Sequence, residues 1–145
     1  LSGGLAHVGG LGEKITALPG APAIPLAMVT PGGGLSTPAV FCEFDDGGDP
    51  FGALDASALT AALCAGDLDR AQSLSLNSLE PAAIRLMPEI GEAMRRFREL
   101  GARFVRMTGS GSTVFAAFET PEQAAHAAAQ VEGAIATCSL GEGQS

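Results

Sequence analysis

Tryptophan and tyrosine are absent from this 145-residue chain, and lysine occurs once, at Lys14. Eight Lys and Arg stand against 16 Asp and Glu, a formal charge of −8. A nucleic-acid-binding protein needs a basic face and, for single strands, aromatic platforms on which bases stack. One lysine, seven arginines and seven phenylalanines supply neither in quantity, so no nucleic-acid partner is expected. Long apolar runs are missing as well. None approaches the roughly 20 residues that span a bilayer, so no membrane partner is expected. Cysteine is scarce: Cys42, Cys64 and Cys138 are odd in number, far apart, and outside any CxxC or Cys/His spacing. They read as reduced core thiols of a cytoplasmic protein, not as a disulfide frame or a metal site. No basic segment followed by an apolar stretch opens the chain, so no secretory signal is expected.

What is present suffices for one folded domain. Hydrophobic residues make up 46% of the chain and charged residues 17%, a balance that argues against disorder and for a buried core. Two short strands, Leu5–Val8 and Ile15–Leu18, flank a glycine-rich turn, and Pro19, Gly20 and Pro22 then punctuate the chain. A boundary is placed near residue 23. Ile24–Val29 reads as a buried strand, and Thr30–Gly34 (TPGGG) as a flexible turn. Ser36-Thr37-Pro38 has the form of a helix start, with a hydroxyl at the N-cap and proline in the first turn. That helix carries Ala39, Val40 and Phe41. Asp45–Pro50 (DDGGDP) reads as a polar loop and the stretch most inclined to disorder.

Asp55 begins a helix that ends at Gly66, and Asp67 can cap another with Leu68, Ala71, Ser75 and Leu79 on one stripe. Pro81 and Pro88 open two further helices, the second with Ile90, Met94, Phe97 and Leu100 at helical spacing and Gly101 closing it. Arg95, Arg96 and Arg98 lie in its last turns, either as a solvated face or as a basic patch. Arg103–Thr108 and Thr113–Phe118 are strands joined by a glycine–serine connection. Thr120-Pro121-Glu122 starts a last helix with Ala124, Ala128 and Val131 inward. Gly133 ends it, and Ala134–Leu140 returns as a strand. The order predicts an α+β fold: a four-stranded antiparallel sheet with helices on one face, closed as a ferredoxin-like split βαβ.

The most distinctive segment is Met107-Thr108-Gly109-Ser110-Gly111-Ser112-Thr113. Glycines here let backbone N–H groups approach an anion or another loop, and three hydroxyls add donors. No lysine follows the last glycine, so it is not a Walker A loop. Val114 stands where a dinucleotide fingerprint needs its third glycine. It is either a tight strand connection or a phosphate-side loop. Phe41 is either core or a stacking surface for a flat ligand. His7 and His126 have no partner at ligand spacing. Glu13, Glu80 and Glu89 cannot be paired by spacing into an acid and a base. No nucleophile triad or metal site can be assembled from the motifs.

Three segments in order nevertheless resemble one family. Thr37-Pro38-Ala39-Val40-Phe41 comes after the strand that ends at Thr30-Pro31-Gly32. Asn77-Ser78-Leu79-Glu80-Pro81 precedes Leu86-Met87-Pro88-Glu89-Ile90, and the glycine loop continues as Thr113-Val114-Phe115. Together with Gly10-Leu11-Gly12-Glu13, they are similar to the C-terminal half of the 4-diphosphocytidyl-2-C-methyl-D-erythritol kinases, a family of GHMP kinases (galactokinase, homoserine, mevalonate and phosphomevalonate kinases). The chain departs from the family at Ser78, where Asp is usual.

The resemblance implies an ATP- and Mg²⁺-dependent transfer of the γ-phosphoryl group to the 2-hydroxyl of the cytidine-diphosphate methylerythritol substrate, in non-mevalonate isoprenoid biosynthesis. It implies that residues 1–23 are a remnant of an N-terminal domain with its connecting segment, and that residues 24–145 are the C-terminal domain. The nucleotide loop and the catalytic Lys and Asp then belong to the missing N-terminal domain, the partner in the full protein. The present segment, which opens on Leu1 without a Met, is expected to hold no catalytic residue and to be inactive alone. By resemblance, Phe41 stacks on cytosine while Thr37 and Pro38 shape the cytidine side. Gly109, Ser110 and Gly111, continued by Ser112 and Thr113, stand beside the phosphate loop of the other domain. The alternatives are the C-terminal domain of another GHMP small-molecule kinase, with Phe41 in the core, and a free-standing ferredoxin-like ligand-binding or dimerisation module.

Overall fold

The structure, a computed structural model, describes residues 6–9, 14–17 and 20–141. The Gly10–Glu13 segment and the carboxylate of Glu13 lie outside the described residues. Strands β1 (Ala6–Gly9) and β2 (Lys14–Ala17) pair antiparallel, Ala6 opposite Ala17 and Gly9 opposite Lys14.

From residue 25 the chain runs β3 (Pro25–Val29), a 3₁₀ turn (Pro31–Gly33), then five helices: α1 (Thr37–Gly47), α2 (Ala56–Cys64), α3 (Leu68–Leu74), α4 (Glu80–Leu86) and α5 (Glu89–Glu99). Strands β4 (Phe104–Met107) and β5 (Val114–Ala117), helix α6 (Pro121–Gln130) and strand β6 (Ile135–Cys138) complete it. The four strands lie in the order β4-β5-β3-β6, every neighbour antiparallel. This is the split βαβ arrangement.

Successive strand residues point to opposite faces, and both faces of this sheet are apolar where helices meet it. Ala27, Val29, Val105, Met107, Val114 and Ala116 share one core with Val40, Phe44, Ala83, Ile90, Phe97 and Ala124. The expected helix layer is therefore present, built from α1, α4, α5 and α6. To it the structure adds α2 and α3, which sit on the opposite face. There Ala62, Leu68 and Ala71 pack with Phe104, Ala117, Leu26 and Phe115. Arg103 ties α3 to the start of β4: its Nε donates to Asp69 Oδ1 at 2.8 Å, and that bond holds the Asp69 carboxyl below its ordinary pKa.

Local signals set most helix ends. The side chains of Asp55, Asp67 and Thr120 accept from the amides of Ala58, Arg70 and Gln123, and Gln123 completes a capping box. Gly101, at φ +93°, ends α5. Two expectations need correction. Asp45–Gly47 is not loop but the last turn of α1, closed by Gly48 at φ +65°. Arg85 on α4 explains it: Nε donates to Glu43 Oε1 at 2.5 Å and Nη2 to Asp49 Oδ2 at 2.6 Å, so the acidic stretch is clamped. Helix α3 stops at Leu74, which leaves Ser75 and Leu79 beyond its stripe. Arg95 and Arg96 pair with Glu99 on an exposed helix surface.

Candidate functional site

An open groove of about 720 Å³ runs along the second sheet face. Thr37 and Phe41 of α1 line one side, Ser75–Leu79 and Thr108–Ser110 another, and Phe104, Arg106 and Phe115 form its floor. Helix α1 brings Thr37 and Phe41 there because four residues are just over one turn. The neighbouring positions Val40 and Phe44 turn into the core, while Phe41 remains 44% exposed. Of the two readings for this side chain, core is excluded.

Ser36 makes no side-chain cap bond. The nearby hydroxyl that is engaged is Thr37 Oγ1, 2.8 Å from Ser110 Oγ. That contact joins two segments 73 positions apart, both in the groove lining. Pro38 is exposed in the first turn of α1 and is not part of the groove lining.

The glycine loop divides. Gly109 and Ser110 face the groove. Ser112 is buried, and its Oγ donates to the Pro31 carbonyl at 2.5 Å. The Thr113 and Thr30 hydroxyls lie 2.8 Å apart. Gly111, at φ +98°, packs so closely that an added Cβ would lie 2.9 Å from Met107 Sδ. Three of the five loop residues therefore anchor the loop, and two are presented. Gly111→Ala is expected to cost about 1–2 kcal/mol in urea unfolding, from a forced left-handed residue plus the Met107 contact. Gly109→Ala, with nothing within 4 Å, is expected to cost less. Equal losses would remove the packing part of the argument.

Motif reasoning missed Arg106, the one charged residue among the described residues of the groove lining. Its signal was a charge inside an otherwise apolar strand, FVRM. Nε donates to Ser75 Oγ and Nη2 to the Ser75 carbonyl, both at 2.9 Å, and Nη1 lies 3.5 Å from Glu80 Oε1. Glu80 thus has a charged partner after all, as an ion pair and not as half of an acid–base couple. Ser78, the position that departs from the family pattern, accepts from the Gly52 amide at 3.2 Å. The groove offers an aromatic ring, hydroxyls, an amide and an apolar floor, and its single cation is already engaged. Among the described residues no cluster of His, Cys, Asp and Glu could hold a metal ion, and no helix is long and apolar enough to cross a membrane.

Fold and groove together define a ferredoxin-like α+β domain that presents a glycine–serine loop beside an exposed aromatic helix start. The family described as GHMP kinases C terminal matches residues 59–136. The chain belongs to that family. It is 40% identical over 129 residues to 4-diphosphocytidyl-2-C-methyl-D-erythritol kinase of Granulibacter bethesdensis, covering 88% of this chain and 41% of that protein. The chain thus spans less than half the length of this curated relative. A crystal structure of 4-(cytidine 5'-diphospho)-2C-methyl-D-erythritol kinase superposes with a TM-score of 0.77 at 35% identity, over 94% of this chain and 50% of that one. L. major mevalonate kinase shares the fold at 15% identity, with a TM-score of 0.65 over 91% of this chain and 47% of that one.

Proposed function

We propose that the chain is the C-terminal part of a 4-diphosphocytidyl-2-C-methyl-D-erythritol kinase and forms the cytidine-facing wall of its substrate cleft. Residues 24–145 are then the C-terminal domain, and residues 1–23 the connecting remnant of the N-terminal one. The observation that carries the reading is the Thr37–Ser110 contact. It brings the TP-x-x-F segment and the glycine loop to one groove with the Phe41 ring exposed between them and solvent, in a chain 40% identical to such a kinase.

In this reading the Phe41 ring stacks on the base, which loses water on one face. Thr37 and Ser110 hold each other's hydroxyls and fix the distance between helix and loop. Gly109 turns its backbone toward the phosphates without a side chain in the way, and Ser110 stands beside it. ATP supplies the phosphoryl group and Mg²⁺ the charge neutralisation such transfers require. The described residues do not fit that ion: no ligand cluster exists, and Arg106 is tied to Ser75 and Glu80. Both ligands are therefore assigned mainly to the other domain, and this wall contributes positioning, which is a large share of phosphoryl-transfer catalysis. A cytoplasmic location is part of this reading; Cys42 and Cys138 are exposed, not the core thiols expected from the sequence.

A substrate panel tests it. The full-length protein is expected to consume ATP with the cytidine-diphosphate methylerythritol and not with mevalonate or homoserine. Turnover of either of the latter in preference would assign the chain to another branch of the family.

A further inference from the structure

Among the described residues β4 is an edge strand: no other strand pairs with its outer side. Three side chains from the α3–α4 segment occupy that side instead. The Val105 amide donates to Gln72 Oε1 at 2.7 Å and the Met107 amide to Glu80 Oε2 at 3.0 Å. Asn77 Nδ2 donates to the Met107 carbonyl at 2.9 Å and to the Gly109 carbonyl, also at 2.9 Å. The second of these bonds extends the grip past the strand to the first glycine of the loop. The Leu79 amide donates to Asn77 Oδ1 at 3.1 Å. That bond orients the amide so that its nitrogen faces the loop. The Glu80 carboxylate is half-enclosed and balanced by Arg106, whose own position is set by Ser75.

The chemistry at position 77 is demanding. One nitrogen donates to two carbonyls while the adjacent oxygen accepts from the backbone. An aspartate of the same shape would place a carboxylate against two carbonyl oxygens, with no proton to share. At position 80 the requirement is an acceptor for the Met107 amide.

We infer that Asn77 and Glu80 are positioning residues for phosphoryl transfer. They hold the end of β4 and the first loop glycine so that Gly109 and Ser110 meet Thr37 at the groove. This inference rests on the kinase reading above, and its test separates the two.

The test uses full-length protein with two readouts, hydrogen exchange and steady-state kinetics. In Asn77→Asp, exchange over residues 108–111 is expected to rise about 10-fold or more relative to β5 and α5, whose bonds do not involve the side chain. The same variant is expected to lose about 10- to 100-fold in kcat, with KM for the cytidine substrate within about 3-fold, because Phe41 is untouched. Asn77→Ser keeps one donor and falls between; it also serves if the aspartate variant does not fold. Glu80→Gln keeps the acceptor for Met107 and retains kcat within about 3-fold, whereas Glu80→Ala does not. Unchanged exchange at 108–111 overturns the inference. So does exchange that rises equally across β5 and α5, the mark of general destabilisation, and so does Glu80→Gln as damaged as Glu80→Ala. If the wild-type protein transfers no phosphoryl group, the kinase reading and the catalytic part of this inference fall together. The exchange data then still decide whether Asn77 holds the loop.

Discussion

Incubated with ATP, Mg²⁺ and the cytidine-diphosphate methylerythritol, the 145-residue chain alone is expected to yield no ADP above the uncatalysed background, whereas on the proposed reading the full-length protein is expected to turn over. The reason lies in what the groove offers. Phosphoryl transfer requires charge neutralisation at the transferred group, a positioned nucleophile and a route for the hydroxyl proton. The described residues supply no metal-binding cluster. Among the described lining residues the one cation, Arg106, is engaged by Ser75 and Glu80. Hydroxyls and an aromatic ring can bind and orient, but they cannot carry the charge. Product release or ADP formation by the purified chain, removed by a mutation within it, would place essential groups here and overturn the division of labour between the two domains.

On the proposed reading, Phe41→Ala in the full-length protein is expected to raise KM for the cytidine substrate by about 5- to 150-fold, the range that corresponds to the roughly 1–3 kcal/mol measured for stacking one base on one aromatic side chain. KM for ATP is expected to stay within about 3-fold, because the ring is assigned to only one of the two ligands. The neighbouring Val40 and Phe44 are already buried, so the substitution removes an exposed ring and not a core anchor, and the fold survives it. Phe41→Tyr keeps the stacking surface and retains most of the affinity. An equal rise for both ligands, or none for either, would show that the ring is not the base platform.

Much of the fold was legible because it is written in local chemistry. Asp55, Asp67 and Thr120 cap the helices they precede, and the split βαβ order comes from the apolar segments between them. What stayed hidden depends on partners far along the chain. Asp45-Asp46-Gly47 reads as loop by composition, yet it finishes α1 because Arg85, from a helix far along the chain, clamps both Glu43 and Asp49. The second helical face had a signal that went unused. VFAA in β5 is apolar at every position, as expected of a strand covered on both sides, and α2 and α3 supply that cover.

At the groove, the glycine loop and Phe41 stood out from the residues themselves, each with two readings, and the resemblance added Thr37 and the assigned roles. Spacing alone cannot reveal a hydrogen bond between residues 73 positions apart. Ser112 and Thr113 look interchangeable with Ser110 in sequence, but one hydroxyl is buried on the Pro31 carbonyl and the other sits against Thr30. Asn77 served as a family mark only, and Glu80 as a family mark and a carboxylate without a partner at a readable spacing. Their grip on β4 becomes visible once the edge of the sheet is known.

The most direct single measurement is a crystal structure of the full-length protein with its cytidine substrate bound. The expected result is a cytosine ring stacked on Phe41, centroids within about 4.5–7 Å, and its phosphates directed toward Gly109 and Ser110. A base bound elsewhere, with the Phe41 ring still facing solvent, would contradict the assignment of this groove as the cytidine wall.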